Sequence, residues 1–543
     1  MGNKLIFTDN YIEIQCSRND YDTHLLANKI PYIHSNRTKT VFRTSVRNID
    51  LVLKVFRGID ESSVDKLPEK VRKRYDAEML RRAQTKTLID LGPEIPEGDW
   101  LMPHQRLGVE LAKVNKRWGF FYDTRTGKTP MSIEIMQQIP IKWLVVCPLI
   151  LIKEAWLDDF EKFATERKVV NLHASTKAKR LKQFQEKANI YIQNTESFVS
   201  WADEIRKLGI QGIILDESSS LKSYSSKFSK EMLKMAHEVE YFYLLSGTPA
   251  PNGEYEYYTQ LRCLDNYSLP QSYSQFERVF FDNVAYNPQF KDLRIKQFKE
   301  DELKELISTY AIYIDKEDAF ETAGRDFENY RVEMPSDVKE HYVTMARELY
   351  CDIEEGVDVV ALSSAAKVNK LRQISSGFVY DDEQKAHMIS DFKLKALQEL
   401  LDTYVKDEQA IIWANFKTEI ASIQQMLGDK CGIVNGTVTL SQKQQAISDF
   451  KSGKIQYLVA NPASADKGLT LTNAHICVYY SPVQSYELYK QSMERIYGRI
   501  QSQPKRCKYY HMIVEGSVDT DIQRAVKDKQ NVSEAILNYI RFC

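Results

Sequence analysis

The sequence predicts an α/β fold built from two parallel-sheet lobes in tandem, with a helical middle region and a small α+β N-terminal domain. Short, almost uninterrupted apolar runs alternate with polar stretches of helix length, which is typical of strands covered on both faces. The runs form two clusters, one ending near Thr248 and one starting near Ala410, separated by a largely helical region at residues 253–400. The predicted strands are Trp118–Tyr122, Trp143–Cys147, Asn189–Gln193, Gly212–Leu215, Tyr241–Leu245, Ala410–Ala414, Tyr457–Ala460, Ile476–Tyr480 and Tyr509–Val514.

The composition indicates an ordinary globular chain, with 543 residues of which 43% are hydrophobic and 27% charged. We expect neither a membrane span nor a signal peptide, because no long apolar run occurs and none follows Met1. The eight cysteines are scattered, which favours a reducing, cytoplasmic compartment and argues against structural zinc. A net charge of −1 gives no global attraction to nucleic acid, so such a partner requires local basic grooves.

Three domains are predicted: an accessory domain at residues 1–92, lobe one at 93–335 and lobe two at 336–543. The accessory domain contains a charged helix whose basic residues are interleaved with acids, which favours a solvated helix. The alternative is a small DNA-binding module for forks or junctions. Arg43 and Arg47, beside Phe42, would be the first contacts to test.

The residues Arg125 to Thr129, in the order Arg-Thr-Gly-Lys-Thr, lie between a predicted strand and a helix-like stretch. At such a turn the backbone N–H groups around Thr126 and Gly127 are free to bind phosphate, and the ammonium of Lys128 reaches the β- and γ-phosphates. The Thr129 hydroxyl is a ligand for Mg²⁺. The full phosphate-loop pattern requires glycine five residues before Gly127, where this chain has Tyr122.

A pair of carboxylates, Asp216 and Glu217, ends another predicted strand. Ligands of open parallel sheets lie at the carboxyl ends of strands, so Lys128 and Asp216 are expected to converge although they are 88 positions apart. Asp216 would then hold Mg²⁺ and Glu217 would polarise the attacking water. A third strand ends in a turn of small residues, Ser246–Pro249. Taken alone, each feature also fits a solvated pair or a tight turn.

In this order and at this spacing, the three motifs resemble those of superfamily-2 helicases, in particular the SWI/SNF-type ATPases that translocate on double-stranded DNA. The resemblance covers residues 95–525 and implies two RecA-like lobes. Gln105, in the segment Met102–Gly108, is similar to the residue that reads adenine. Val146–Leu149, followed by Trp156 and Phe160, is similar to the next motif. The compact size resembles a bacteriophage or bacterial member.

The resemblance also implies nucleic-acid contacts in both lobes and a set of lobe-two motifs. Leu371–Gln373 is similar to the segment that opens lobe two. The positions that match nucleic-acid or nucleotide motifs are Asn194 and Thr195 in lobe one and Asn435, Gly436, Gly468, Thr470, Gln491 and Arg495 in lobe two. In this family ATP binds between the lobes, and lobe-two arginines stabilise charge on the transferred γ-phosphoryl group.

Several positions depart from the family pattern. Arg125 stands where most members have a small residue, so it would contact either phosphate or DNA. Ser218-Ser219 replaces an Ala-His or Gly-His pair, so coupling to DNA is expected to be weaker or to use Ser219. Ala465–Lys467 replaces a pattern that is often Gly-Gly-Leu. The second arginine is expected at Gly498, but the arginine is Arg499. It substitutes either because i+3 and i+4 share a helix face or because a loop forms around Gly498.

These features predict an ATP- and Mg²⁺-dependent motor that translocates on double-stranded or branched DNA, acting as a monomer in a bacterial or phage-infected cytoplasm, associated with the nucleoid. Remodelling or reannealing of forks is a possible task. The alternatives are a strand-separating helicase and, in another class, a DNA-binding clamp with a degenerate ATPase. Intact Lys128, Thr129, Asp216 and Glu217 argue against the clamp. The choice between DNA and RNA is open from the sequence.

Overall fold

The computed structural model describes residues 4–8, 11–57, 67–163, 167–284, 292–348, 350–354, 357–360, 364–464 and 470–542. These residues form two compact units, one of residues 1–319 with 532–543 and the other of residues 320–531. No helix in the described part of the chain is long and apolar enough to cross a membrane.

The described strands form two parallel sheets, one four-stranded antiparallel sheet and three two-stranded antiparallel sheets. The strands are β1 (Lys4–Phe7), β2 (Tyr11–Gln15), β3 (His34–Ser35), β4 (Val41–Ser45), β5 (Arg117–Tyr122), β6 (Trp143–Cys147), β7 (Val169–Asn171), β8 (Ile190–Asn194), β9 (Gly212–Asp216), β10 (Tyr241–Leu245), β11 (Phe281–Asn283), β12 (Leu293–Ile295), β13 (Ala311–Ile314), β14 (Arg325–Val332), β15 (Tyr350–Glu354), β16 (Val357–Val360), β17 (Phe378–Tyr380), β18 (Ala386–Met388), β19 (Ala410–Trp413), β20 (Cys431–Val434), β21 (Tyr457–Ala460), β22 (Ile476–Tyr479) and β23 (Cys507–Val514).

Helices follow most of the strands of the parallel sheets, as the alternating pattern predicts. The helices are α1 (Tyr21–Ala27), α2 (Ile49–Arg57), α3 (Glu69–Leu91), α4 (Pro103–Val114), α5 (Lys128–Gln138), α6 (Asp158–Lys162), α7 (Lys177–Gln185), α8 (Ala202–Lys207), α9 (Lys227–Glu238), α10 (Tyr257–Leu264), α11 (Tyr273–Phe280), α12 (Glu300–Ser308), α13 (Lys316–Ala319), α14 (Ser336–Glu348), α15 (Ser364–Ser375), α16 (Phe392–Leu400), α17 (Lys417–Leu427), α18 (Leu440–Lys451), α19 (Tyr486–Met493) and α20 (Val518–Phe542).

Lobe one is built on a parallel sheet of seven described strands in the order β13-β5-β10-β9-β6-β8-β7. Alternate residues of these strands enter two separate cores, one on each face of the sheet: Phe121 and Leu215 lie in one core, and Phe120 and Ile214 in the other. Both faces are therefore buried, which is why the strands are almost entirely apolar in sequence.

Lobe two has a parallel sheet of six described strands in the order β14-β23-β22-β19-β21-β20, again with a core on each face. The predicted α/β architecture of two parallel-sheet lobes is confirmed. The region at residues 253–400 is less purely helical than expected, because it also supplies β13 to the first sheet and β14 to the second.

The N-terminal residues form a four-stranded antiparallel sheet, in the order β1-β2-β4-β3, packed with α2 and α3 over their own core. This small α+β domain contacts lobe one directly. The ring of Tyr11 lies 5.3 Å from that of Tyr267, and Nε2 of His34 lies 2.8 Å from the carbonyl oxygen of Leu269. The domain is thus a packed extension of lobe one within the same compact unit.

The two arginines that we considered as DNA contacts in this domain, and Phe42 beside them, have protein partners or are buried. Phe42 is buried in the domain core. The guanidinium of Arg47 lies 3.9 Å from the ring centroid of Tyr310, and it donates to a lobe-one carbonyl. Arg43 is exposed but pairs with Glu13 at 2.8 Å. The expectation that Arg47 faces DNA is therefore not supported.

Arg117, the first residue of β5, ties two helix ends to the sheet. Its guanidinium donates to carbonyl oxygens at the ends of α9 (Ala236 and Val239, at 2.6 and 2.9 Å) and of α10 (Cys263 and Leu264, at 2.6 and 2.8 Å). Helix C-termini carry partial negative charge and unsatisfied carbonyls, so a cation stabilises both. Burial lowers the pKa of Arg117 to about 10, which leaves it charged at neutral pH.

We expect Arg117→Met to lower the free energy of unfolding by about 2–4 kcal/mol, because it strands four buried carbonyl groups. Urea denaturation of the full chain, followed by tryptophan fluorescence, measures the change. Lys116→Met is the matched control, since Lys116 is 57% exposed and pairs with Glu240 at the surface, and such pairs contribute about 0–1 kcal/mol. Equal losses in the two variants would contradict the role of Arg117.

Candidate functional site

The phosphate-loop candidate connects β5 to α5, and its last residue, Gly127, is the N-cap of the helix. Gly127 has φ +81°, in the left-handed region that favours glycine. A Cβ at this position would lie 1.9 Å from Nε2 of Gln105. Glycine is therefore favoured here by the backbone conformation, and any side chain would have to displace the end of Gln105.

Gln105 lies in the first turn of α4, and its side chain is hydrogen-bonded to the phosphate loop. Its Nε2 donates to the carbonyl oxygen of Thr126 at 3.0 Å, and its Oε1 accepts from the backbone N–H of Met102 at 2.9 Å. Nε2 of His104 lies 2.7 Å from the same Thr126 oxygen. The structure thus brings Gln105 to the phosphate loop, where its amide bonds the backbone of the protein.

Lys128 opens α5 and folds back over the loop. Its ammonium donates to the carbonyl oxygens of Tyr122 and Asp123 at 2.9 and 3.0 Å. The charge of Lys128 also lowers the pKa of Asp216. Strand β5, which precedes Lys128, and strand β9, which ends at Asp216, both pair in parallel with β10, so their carboxyl ends lie at the same edge of the sheet. Thr129 follows in the first turn of the helix, where it is partly exposed.

Tyr122, which occupies the position where the phosphate-loop pattern has glycine, belongs to the core. Its side chain is fully buried, its hydroxyl donates to the carbonyl oxygen of His104 at 3.0 Å, and burial raises its pKa. The large side chain therefore points away from the loop. Arg125 is the unusual loop residue, because it holds a left-handed backbone with φ +63° without being glycine.

Asp216 ends β9 and is 6% exposed. Its Oδ2 accepts from the indole N–H of Trp156 at 3.0 Å, and its Oδ1 accepts from the backbone N–H of Glu217 at 3.0 Å. Burial raises the pKa of Asp216 to about 6, and the neighbouring charge of Glu217 adds to this rise while Lys128 opposes it. The carboxyl is therefore held in an unusually dry place, where burial disfavours its charged form.

Ser218, just after the end of β9, is connected to the Ser246–Pro249 turn through Gln260, a residue that the sequence analysis did not identify. Its hydroxyl donates to Oε1 of Gln260 at 2.7 Å, and Nε2 of Gln260 donates to the carbonyl oxygen of Pro249 at 2.7 Å. Ser218 and Gln260 are both fully buried. The Ser-Ser departure from the family pattern thus places a buried polar link beside the carboxylate pair.

The Ser246–Pro249 turn packs against the phosphate loop. A Cβ on Gly247 would lie 3.2 Å from both the backbone nitrogen and Cγ2 of Thr124. The loops after β5, β9 and β10 therefore meet at one edge of the sheet, which is the arrangement that the sequence predicted.

Asn194 and Thr195 lie at the carboxyl end of β8, where a second missed residue, Arg180, holds Asn194. Nη2 of Arg180 donates to Oδ1 of Asn194 at 3.2 Å and to Oγ of Ser197 at 2.6 Å. The guanidinium lies 4.8 Å from the ring centroid of Trp201. Arg180 was hard to find from the sequence because it lies in an otherwise solvated, lysine-rich helix.

In lobe two, Gln491 lies on α19, and this helix ends at Met493. Arg495 follows in a turn and is 7% exposed, and its carbonyl oxygen accepts from the backbone N–H of Leu471 at 2.9 Å. Arg499 lies in a non-helical segment, 5.0 Å from the ring centroid of Phe320. The helix-face explanation for Arg499 is therefore wrong, and the alternative, a loop around Gly498, is the one that forms.

Two more lobe-two motifs lie on loops. Asn435 follows β20, and its Oδ1 accepts from the backbone N–H of Thr437 at 2.9 Å, while Gly436 between them is exposed. Thr470 is exposed as well. Gly468 and the unusual Ala465–Lys467 segment lie outside the described residues.

Comparisons with known proteins agree with this geometry. Residues 32–325 match the family model of the SNF2-related domain, and residues 392–500 match that of the helicase conserved C-terminal domain. The first match covers more than half of the chain. It also begins at residue 32, so the family likeness extends further into the N-terminal segment than the motifs indicated.

Individual relatives have low sequence identity to this chain, but the similarity extends over most of its length. Protein p41 of Acyrthosiphon pisum secondary endosymbiont phage 1 is 25% identical over 81% of this chain and 98% of its own length. Protein CHROMATIN REMODELING 4 of Arabidopsis thaliana is 25% identical over 73% of this chain but 19% of its own length. The human DNA annealing helicase and endonuclease ZRANB3 is 22% identical, over 81% of this chain and 40% of its own.

Among solved structures, the Sulfolobus solfataricus SWI2/SNF2 ATPase core in complex with dsDNA covers 81% of this chain and 97% of its own, at 18% identity and a TM-score of 0.36. The chain thus spans nearly all of the phage relative and less than half of the plant and human ones. From the two family models, this chain belongs to the SNF2-related family of superfamily-2 DNA-dependent ATPases.

Proposed function

We propose that this chain binds ATP with Mg²⁺ at the edge of lobe one and uses its hydrolysis to translocate along double-stranded DNA. The observation that carries the proposal is that the loops bearing Lys128, Asp216 and a left-handed glycine turn lie at one edge of the sheet, at the carboxyl ends of β5 and β9. A cation, a buried carboxylate and the backbone N–H groups of a helix N-terminus are the groups that a nucleoside triphosphate with its metal requires.

The donor set fits Mg²⁺, which prefers hard oxygen ligands and keeps several waters. The Thr129 hydroxyl and the Asp216 carboxylate would hold it, and the metal would neutralise charge on the phosphates. In the described part of the chain no cluster of three acidic, histidine or cysteine ligands occurs. A Mg²⁺ ion that is bound together with a nucleotide does not need such a cluster, because the phosphates and water molecules supply most of its ligands.

The other residues of the site have distinct roles in this proposal. Lys128 would leave the loop carbonyls and bind the β- and γ-phosphates, and Arg125 would add a phosphate contact from the same loop. Glu217 would orient and polarise the attacking water. Arg495 and Arg499 would supply the cationic groups that stabilise the transition state, with Gln491 and Gly468 in the adjoining nucleotide motifs.

DNA is the partner that the family implies, and backbone contacts would bind it. Asn194 and Thr195 in lobe one, and Asn435, Gly436 and Thr470 in lobe two, would contact phosphates. Gly436 and Thr470 are exposed, whereas Asn194 and Asn435 are buried at strand ends. Such contacts carry no base sequence, so binding would be independent of sequence and sensitive to salt. Action on forks or branched DNA, a monomeric state and a nucleoid location belong to the same proposal.

Lys128→Ala is expected to reduce ATP hydrolysis at least about a hundredfold, because the transferred phosphoryl group loses its cation. Phosphate release at saturating ATP and DNA measures the loss. Lys168→Ala is the control, since Lys168 is 57% exposed and pairs with Glu186 at the surface of the same lobe. Turnover retained in Lys128→Ala would show that the nucleotide binds elsewhere.

Displacement of a third strand from a triplex tests movement along a duplex. We expect the wild type to displace that strand in the presence of ATP and Lys128→Ala not to, because displacement requires directed motion and no separation of the duplex. A tailed duplex assayed in parallel should stay paired. Unwinding of the tailed duplex would instead support a strand-separating helicase, and inactivity in both assays would support a clamp.

A further inference from the structure

We infer that Trp156 is the positioning residue for Asp216, which it holds through its indole N–H in the orientation that accepts Mg²⁺. The inference rests on the proposed nucleotide site and adds a residue to it. The bond joins Nε1 of Trp156 to Oδ2 of Asp216 at 3.0 Å, between two side chains that are 60 positions apart in the sequence. Trp156 is fully buried, and Asp216 is nearly so.

The two oxygens of Asp216 are held by different donors. Oδ2 is held by the indole, and Oδ1 is held by the backbone N–H of Glu217 at 3.0 Å. Both donors are neutral, so they fix the rotamer of the carboxylate without cancelling the negative charge that binds a cation. An arginine or lysine in the place of Trp156 would compete with the metal. Each oxygen also keeps a lone pair for a water or a metal.

The local backbone at Trp156 is unusual. Residues Ile152–Leu157 form a π-helical turn between β6 and α6. Such wide turns are rare and often mark functional sites, since they change the direction of the side chains that follow. The turn follows Cys147, the end of β6, and β6 pairs in parallel with β9, with Val146 opposite Leu215. The π-turn and the Asp216 carboxylate therefore lie at the ends of two neighbouring strands.

The other buried tryptophans of lobe one show that a buried indole N–H group in this protein does not have to be bonded to a carboxylate. Trp143 donates to the backbone carbonyl of Ile139 at 3.0 Å. Trp118 has no hydrogen-bond partner for its indole nitrogen among the described residues. Trp156 is thus the member of this set that is bonded to an ionisable group of the candidate site.

The matched pair Trp156→Phe and Trp143→Phe separates positioning from packing. Both variants remove an indole N–H bond of 3.0 Å from a fully buried side chain of the same lobe and leave an aromatic ring. Outer partners of metal ligands typically contribute about 10–100-fold to metal affinity. Calorimetric titration of ADP, with and without Mg²⁺, provides a readout that does not depend on turnover.

We expect Trp156→Phe to reduce the Mg²⁺-dependent gain in ADP affinity at least about tenfold, and to leave ADP binding without Mg²⁺ within about twofold of the wild type. Trp143→Phe should preserve both affinities. Equal Mg²⁺ gains in the two variants would overturn the inference. The proposed site itself fails on a different result, namely ADP affinity that is unchanged in Lys128→Ala.

A second measurement does not require Trp156→Phe to fold. The chain has six tryptophans, so the ¹⁵N spectrum of labelled protein contains six indole N–H signals. Asp216→Asn replaces the charged acceptor with an amide oxygen of similar shape, which weakens the hydrogen bond. One indole proton signal should therefore move upfield in Asp216→Asn. If all six signals stay in place, Trp156 does not hold Asp216.

Discussion

A buried carboxylate at the end of β9 is the constraint on which lobe one depends. Asp216 is removed from water, which raises its pKa, while the charge of Lys128 and two N–H donors that hold its oxygens favour the charged form. An uncompensated buried charge would be costly. The phosphate loop, the π-turn that carries Trp156 and the strand end at Glu217 each contribute to stabilising this carboxylate.

The parallel sheet achieves this placement without contacts between sequence neighbours. The carboxyl ends of β5, β9 and β10 lie at the same edge, so three loops that are far apart in the chain meet there. Gly247 lies against Thr124, and Gln260 joins Ser218 to Pro249. A displacement of one of the loops after β5, β9 and β10 would therefore be transmitted to the other two. A motor that couples hydrolysis to movement requires such a connection.

The sequence predicted much of this arrangement because buried parallel strands and glycine turns leave clear patterns. Most central strands were found to within a residue or two, and Lys128 and Asp216 converge as expected. Strand β14 was missed because its burial pattern lacks the apolar run of a central strand, and β7 because it has three residues. The partners Trp156 and Gln260 are separated from their targets by 60 and 42 positions, and such pairs appear only in three dimensions.

The departures from the family pattern now have different physical meanings. Tyr122 is a core residue, so the missing glycine does not alter the loop surface. Arg499 lies on a loop after the end of α19, so its reach does not depend on helical spacing.

The measurement that tests the account most directly is steady-state ATP hydrolysis with duplex DNA, single-stranded DNA, RNA and no nucleic acid. The account predicts low basal turnover and the strongest stimulation by duplex DNA, and turnover that no nucleic acid changes would contradict it.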